Sequence, residues 1–146
     1  RVRHVTHIDP TRAQFDAFKD LPRNTPIEML NLVAFRDLAN YPGDHDLARD
    51  GLTGAQAYAL YGKHSAPVLA KVGGSIAWRG NYQTTLIGPE DEAWDAMFIA
   101  RYPDAGAFLA MVTDPDYQRA VVHRQAAVKT SRLIRCDPAA GGTTFG

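Results

Sequence analysis

Apolar positions recur along the chain at two periods, and the switches between them predict its elements. The stretch "IDPTRAQFDAF" reads as a short helix: Pro10 suits a first helical position, and Thr11 with Gln14 has capping-box spacing. Pro22 and Pro26 bracket its exit. Residues 27–36 form the first strand, and "DLANYPGDHDLARDGL" (37–52) is polar and rich in turn formers, hence a long loop. Thr53 with Gln56 opens a second helix that runs to the glycines at 73 and 74. Ala57, Tyr61, His64, Val68 and Val72 form its inner stripe, and Pro67 predicts a kink. Residues 75–87 read as a strand with Gly80 as a bulge, "GPEDE" as a turn, and 94–102 as a third strand. Asp104 caps a short helix carrying Phe108, Met111 and Val112. After the break at "TDP", Asp114 and Pro115 start a helix to about Ser131, followed by a last strand, 132–136.

The order after the N-terminal helix is β-α-β-β-α-β, with its second helix in two pieces. This is an α+β, ferredoxin-like arrangement: a four-stranded antiparallel sheet with helices on one face. One domain is expected over 1–146, with its core at about 27–136, a helical extension at 9–21 and a flexible tail at 137–146. In the first strand Ile27, Met29, Val33 and Phe35 share a side with Asn31, while Leu30, Leu32 and Ala34 take the other. In the third, Trp94, Ala96, Phe98 and Ala100 oppose Met97 and Ile99. Both faces are apolar. Helices cover only one, so a second copy of the sheet is the expected cover of the other, making a homodimer.

Composition narrows the function. Sixteen basic and sixteen acidic residues give zero formal net charge, which argues against an electrostatic nucleic-acid or membrane-surface binder. The single cysteine, Cys136, permits no intrachain disulfide and no thiolate metal cluster, and a reducing, cytoplasmic home is the default expectation. No apolar run approaches the ~20 residues of a membrane span. The start, "RVRHVTH", has neither a signal-peptide pattern nor an initiating Met, which leaves the native N-terminus open.

A few polar residues sit where apolar ones are expected. Asn31 lies inside the apolar run "MLNLVAF". Its amide either bonds to a neighbouring loop or a buried water, or it orients a ligand oxygen. His64, on the inner helix stripe, is either a core-edge histidine bonded to a carbonyl or a general acid/base suited to neutral pH. Tyr117, Val121, Arg124 and Val128 form a stripe, so Arg124 must snorkel, pair with a carboxylate or bind an anion. Arg79 and Arg101 pose the same question on their strands, with Glu28 and Asp95 as candidate internal partners. Metal sites are poorly supported: neither His4 with His7 nor "DHD" (44–46) supplies the ligand count of a catalytic zinc. No phosphate loop, serine-nucleophile motif or base for Cys136 is present, and no cofactor is expected. RNA-binding modules of the same topology need exposed aromatics on a basic sheet, and this chain shows neither that motif nor that charge.

The segments "PIEMLNLVAFR", "GAQAYALYGKH", "VGGSIAWRGN" and "LIGPEDEAWDAMFIARYPDAGAFLAMVTDPDYQRAVVHRQAAVKTSRLI" resemble the family known as domain of unknown function 1330, over about residues 10–135. Its signposts are the glycine pair before the second strand, "RG" after it, "YP" ending the third, and "DPDYQ…R" in the last helix. The resemblance implies a dimeric α/β barrel, two ferredoxin-like units joined through their sheets. It supplies no reaction, since relatives in that superfamily include cofactor-free monooxygenases, haem-handling enzymes and isomerases. The combined expectation is a pocket between sheet and helices. Asn31, Tyr61, Arg79, Tyr117 and Arg124 would bind a small anionic or carbonyl-bearing ligand there, with His64 as acid/base. Two alternatives stand beside it. One is a non-catalytic homodimer with structural polar residues. The other is a haem-binding or haem-degrading protein, in which Asn31 and Trp94 match the relatives but His64 or His123 would have to replace the missing helix histidine.

Overall fold

A computed structural model describes residues 6–146, so His4 of the His4–His7 pair lies outside the described residues. The elements in chain order are α1 (Arg12–Asp20), β1 (Ile27–Phe35), α2 (Gly54–Lys71), β2 (Ser75–Gly80), β3 (Ala96–Tyr102), α3 (Ala105–Thr113), α4 (Pro115–Ala127) and β4 (Val128–Cys136). The four strands form one antiparallel sheet in the order β2-β3-β1-β4. The fold is α+β and ferredoxin-like, with α1 as an extra N-terminal helix.

Local chemistry sets most boundaries. Thr11 and Thr53 each close a full capping box, with Gln14 and Gln56, so α1 begins at Arg12 and Pro10 lies before the cap. Gly54 opens α2 against the end of β1: its N–H donates to the Arg36 carbonyl at 3.1 Å. A Cβ at Gly54 would lie 2.0 Å from that oxygen, so no other residue fits. Gly73, at φ +80°, ends the helix in the left-handed region. Pro67 stays inside α2 without ending it.

Three boundaries differ from the sequence expectation, each because of a distant partner. β2 stops at Gly80, and its irregularity lies between Ile76 and Trp78 rather than at Gly80. The expected continuation is diverted into a loop: the hydroxyls of Tyr82 and Thr85 lie 2.8 Å apart, and Thr85 Oγ1 donates to the Glu92 carbonyl. β3 starts two residues late because Asp95 turns the chain. Its N–H donates to the Val33 carbonyl and its carboxylate accepts the Phe35 N–H at 2.7 Å. Asp95 is therefore occupied by backbone, not by an arginine. β4 begins at Val128 directly after α4, where Val128 pairs with Phe35.

Register assigns the faces. Ile27, Met29, Ala100, Tyr102, Ile76 and Phe98 pack with Val68, Tyr61, Phe108, Met111 and Tyr117 from the helices. Phe98 thus faces the helices. Leu30, Leu32, Met97, Ile99, Trp78 and Ile134 occupy the opposite face, where Trp78 and Ile134 are about half exposed. In the β2–β3 loop, Leu86 and Ile87 are 91% and 92% exposed.

Candidate functional site

The structure sorts the expected site residues into two places. The first is the helix-facing side of the sheet, where α2 and α4 pack on it. On the helix-facing side, Asn31, Phe98, Arg79 and Leu133 form one cross-strand row. The neighbouring row holds Met29 and Ala100, 2% and 4% exposed, whereas Leu133 is 42% exposed and Arg79 is exposed. The helices seal one row and leave the next within reach of solvent. Asn31 Nδ2 donates to the Met29 carbonyl at 3.0 Å. That single bond fixes the amide and leaves its Oδ1 without a protein donor among the described residues.

Tyrosines from α2 and α4 lie over this row. The Tyr61 and Tyr117 hydroxyls are 2.8 Å apart. Tyr58 packs its ring 5.4 Å from Tyr61 and 4.9 Å from Phe35. Burial pushes the pKa of all three tyrosines up, so they are neutral at physiological pH and act as hydrogen-bond groups, not bases. The Arg124 charge opposes that rise at all three, and the Arg79 charge opposes it at Tyr58. Both guanidiniums are therefore within electrostatic reach of the tyrosine cluster.

The two arginines differ in their partners. Arg124 Nη1 donates to the Ile8 carbonyl at 2.6 Å and Nη2 to Ser131 Oγ at 3.1 Å, while Ser131 Oγ donates to the His7 carbonyl. Arg79 makes no salt bridge or hydrogen bond among the described residues. Arg101 lies on the other face and pairs with Glu28 at 3.0 Å. Tyr58 was not singled out by the sequence reading, although its spacing of three from Tyr61 is the helical signal that pairs them.

His64 is not among them. It is exposed and stacks on His123 with ring centroids 5.1 Å apart. The two line an open groove of about 700 Å³ between α2 and α4, with His45 from the 37–52 loop. Nδ1 of His123 lies 2.6 Å from the buried Tyr41 hydroxyl. Burial, then the charges of His64 and His45, hold the His123 pKa below the ordinary histidine value. The residues expected to share one pocket are thus divided: Asn31, Tyr61, Arg79, Tyr117 and Arg124 lie about the helix-facing side of the sheet, and His64 lies in the groove. No group of three or more His, Cys, Asp or Glu among the described residues is arranged to hold a metal.

The profile of the family described as Domain of unknown function (DUF1330) matches residues 48–135, more than half of the chain. The chain belongs to the DUF1330 family. Tyr61, Arg79, Tyr117 and Arg124 lie in the matched region; Asn31 precedes it. The RPA0582 protein of unknown function from Rhodopseudomonas palustris is 50% identical, with a TM-score of 0.86 over 94% of this chain and 100% of that one. The crystal structure of methylated RPA0582 gives 49% identity and a TM-score of 0.87 over 94% of this chain and 98% of that one. A dimeric protein of unknown function and ferredoxin-like fold from Bacteroides fragilis is 11% identical, with a TM-score of 0.47 over 80% of this chain and 99% of that one. No curated protein matches the chain. The DUF1330 family carries no assigned reaction in its description, and the functional reading rests on the chain's own residues.

Proposed function

We propose that this DUF1330 protein is a homodimeric small-molecule-binding protein whose ligand, an anionic or carbonyl-bearing compound, sits over the Asn31–Phe98–Arg79 row. The observation that carries the reading is Arg79: an unpaired guanidinium among the described residues, on the helix-facing side, in the row where the sheet stays open to solvent. A planar cation within electrostatic reach of the neutral Tyr58, and in one row with a fixed amide, is suited to grip a carboxylate in two places. Arg124 supports the site from behind, its donors being committed to Ile8 and Ser131.

Dimerisation is supported by the outer sheet face. Leu30, Leu32, Met97, Ile99, Trp78 and Ile134 form one contiguous apolar surface, of a kind that monomeric proteins rarely leave to water. The haem reading is not favoured: Arg132 lies over the Trp94 ring, 5.5 Å from its centroid, and His64 and His123 stack on each other in the separate groove.

The test is a thermal-shift screen against small carboxylates and keto acids, with wild type and Arg79→Ala in parallel. A ligand at a hundred times its Kd adds about 2.7 kcal/mol to wild-type stability. The variant should melt like wild type without ligand and lose the ligand-induced shift. A screen that stabilises neither protein, or both equally, removes the reading and leaves the non-catalytic homodimer in its place.

A further inference from the structure

We propose that the groove between α2 and α4 is a second ligand site, for a small oxyanion of the phosphate class, independent of the first. Three imidazoles meet there from three separate elements: His45 from the 37–52 loop, His64 from α2 and His123 from α4. They are close, with centroids 5.1 Å apart for His64 and His123 and 5.8 Å for His45 and His123. The Lys71 ammonium and the Arg119 guanidinium line the same groove.

Each imidazole keeps a donor for a bound anion. His45 Nδ1 accepts the Leu47 N–H, which leaves Nε2 as the N–H bearer. His64 makes no hydrogen bond to protein among the described residues. The Tyr41 hydroxyl serves His123 Nδ1 in either protonation state, donating to the neutral ring or accepting from the charged one, so the ring is held as it titrates. The floor is apolar, formed by Pro67, Val68, Ala120 and Val122.

The electrostatics make the site conditional. Asp116 lines the groove beside Arg119 and pairs with it, and Asp114 holds Lys71 at 2.9 Å, so the fixed charges nearly cancel. Burial, then the neighbouring rings, disfavours the charged form of His123 in the empty groove. An arriving oxyanion reverses that preference, since each ring that takes a proton gains a charge-assisted bond. Binding should therefore take up protons and strengthen as pH falls.

The experiment is a titration with inorganic phosphate at constant ionic strength, read from histidine ring NMR signals. Affinity is measured at about pH 6 and about pH 8, on either side of the ordinary histidine pKa. Wild type should show saturable shifts at His64 and His123, with affinity at least about tenfold weaker at the higher pH. Phosphate itself carries more charge at the higher pH, so a site of fixed cations would show the opposite trend. His64→Ala, which removes an exposed side chain, should weaken binding about fivefold or more at the lower pH. Arg79→Ala, in the first site, should leave it unchanged. Absent or non-saturating histidine shifts, affinity that holds or rises with pH, or binding indifferent to His64→Ala would each overturn the proposal.

Discussion

Arg124 Nη1 reaches across from α4 to the Ile8 carbonyl at 2.6 Å, so the last helix and the segment before α1 are tied through one guanidinium. The same side chain donates to Ser131, whose hydroxyl donates to His7. Lysine at this position keeps the charge but has no planar fork to serve both acceptors. Arg124→Lys should therefore lower stability by about 1–3 kcal/mol, the range for stranding partly buried acceptors. Urea denaturation of the purified variant measures it. Unchanged stability would mean that the fork contributes nothing to holding the extension.

The Tyr61–Tyr117 hydroxyl pair joins α2 to α4 at 2.8 Å. Tyr61→Phe and Tyr117→Phe should each cost about 1 kcal/mol by leaving the other hydroxyl unpaired. The double variant leaves no orphan, so it should cost clearly less than the two singles added together. A double-mutant cycle reads that coupling, and strict additivity would show that the hydroxyls do not depend on each other.

These ties also show what the sequence could reveal. The helix starts were legible because their chemistry is local: Thr11 with Gln14, Thr53 with Gln56, and Asp104 with the Ala107 N–H lie within three residues of each other. The end of β2 was not, because Thr85 is held by Glu92, seven positions on, and apolar "TLI" resembles strand until that bond is known. The start of β4 depends on pairing with Phe35, more than ninety positions earlier. The face of Asn31 was legible by alternation, whereas Arg79 reaches the side of Ile76 only through the irregularity between Ile76 and Trp78. His64 was not legible, because α2 packs against both sheet and α4. A stripe with spacings of three and four then spans two surfaces, and its edge member turned to the groove. Tyr41 fell in a stretch read as polar loop and His45 was weighed there only as part of a weak metal motif, yet they supply a buried tyrosine and the third imidazole.

The assignment of faces sharpens the dimer question. Phe98 and Met97 are neighbours in β3, but Phe98 packs with the helices and Met97 lies on the outer face. Met97→Lys should convert the proposed dimer to a folded monomer, read by light scattering at micromolar concentration with circular dichroism unchanged. Phe98→Lys should instead unsettle the packing under the helices, since Phe98 is partly buried against them and a charge there loses part of its hydration. A wild-type monomer in the same measurement would remove the dimer proposal.

Stability should fall on mild acidification, and His123 sets the window. Burial, then the charges of His64 and His45, hold its folded-state pKa below the ordinary value of about 6.5 that the unfolded chain keeps. The sign follows from proton counts. Well above that value neither state binds the proton, and the full stability is present. Below it the unfolded chain takes up a proton that the folded chain resists, so stability is lost as pH falls toward the folded-state pKa. The groups facing His123 are Tyr41, His45 and His64, with Lys71, Asp116 and Arg119 along the same groove. Lys71 stays charged throughout, because its bond to Asp114 raises its pKa further. Asp114 is held below the carboxylate range by the same bond, so its own loss belongs to a separate, more acidic window. Melting temperature measured in phosphate-free buffer from about pH 8 to about pH 5 should stay level and then decline below about 6.5. His123→Phe, which removes the titrating ring, should flatten that decline; an equally steep decline in the variant would assign the acid sensitivity to another group.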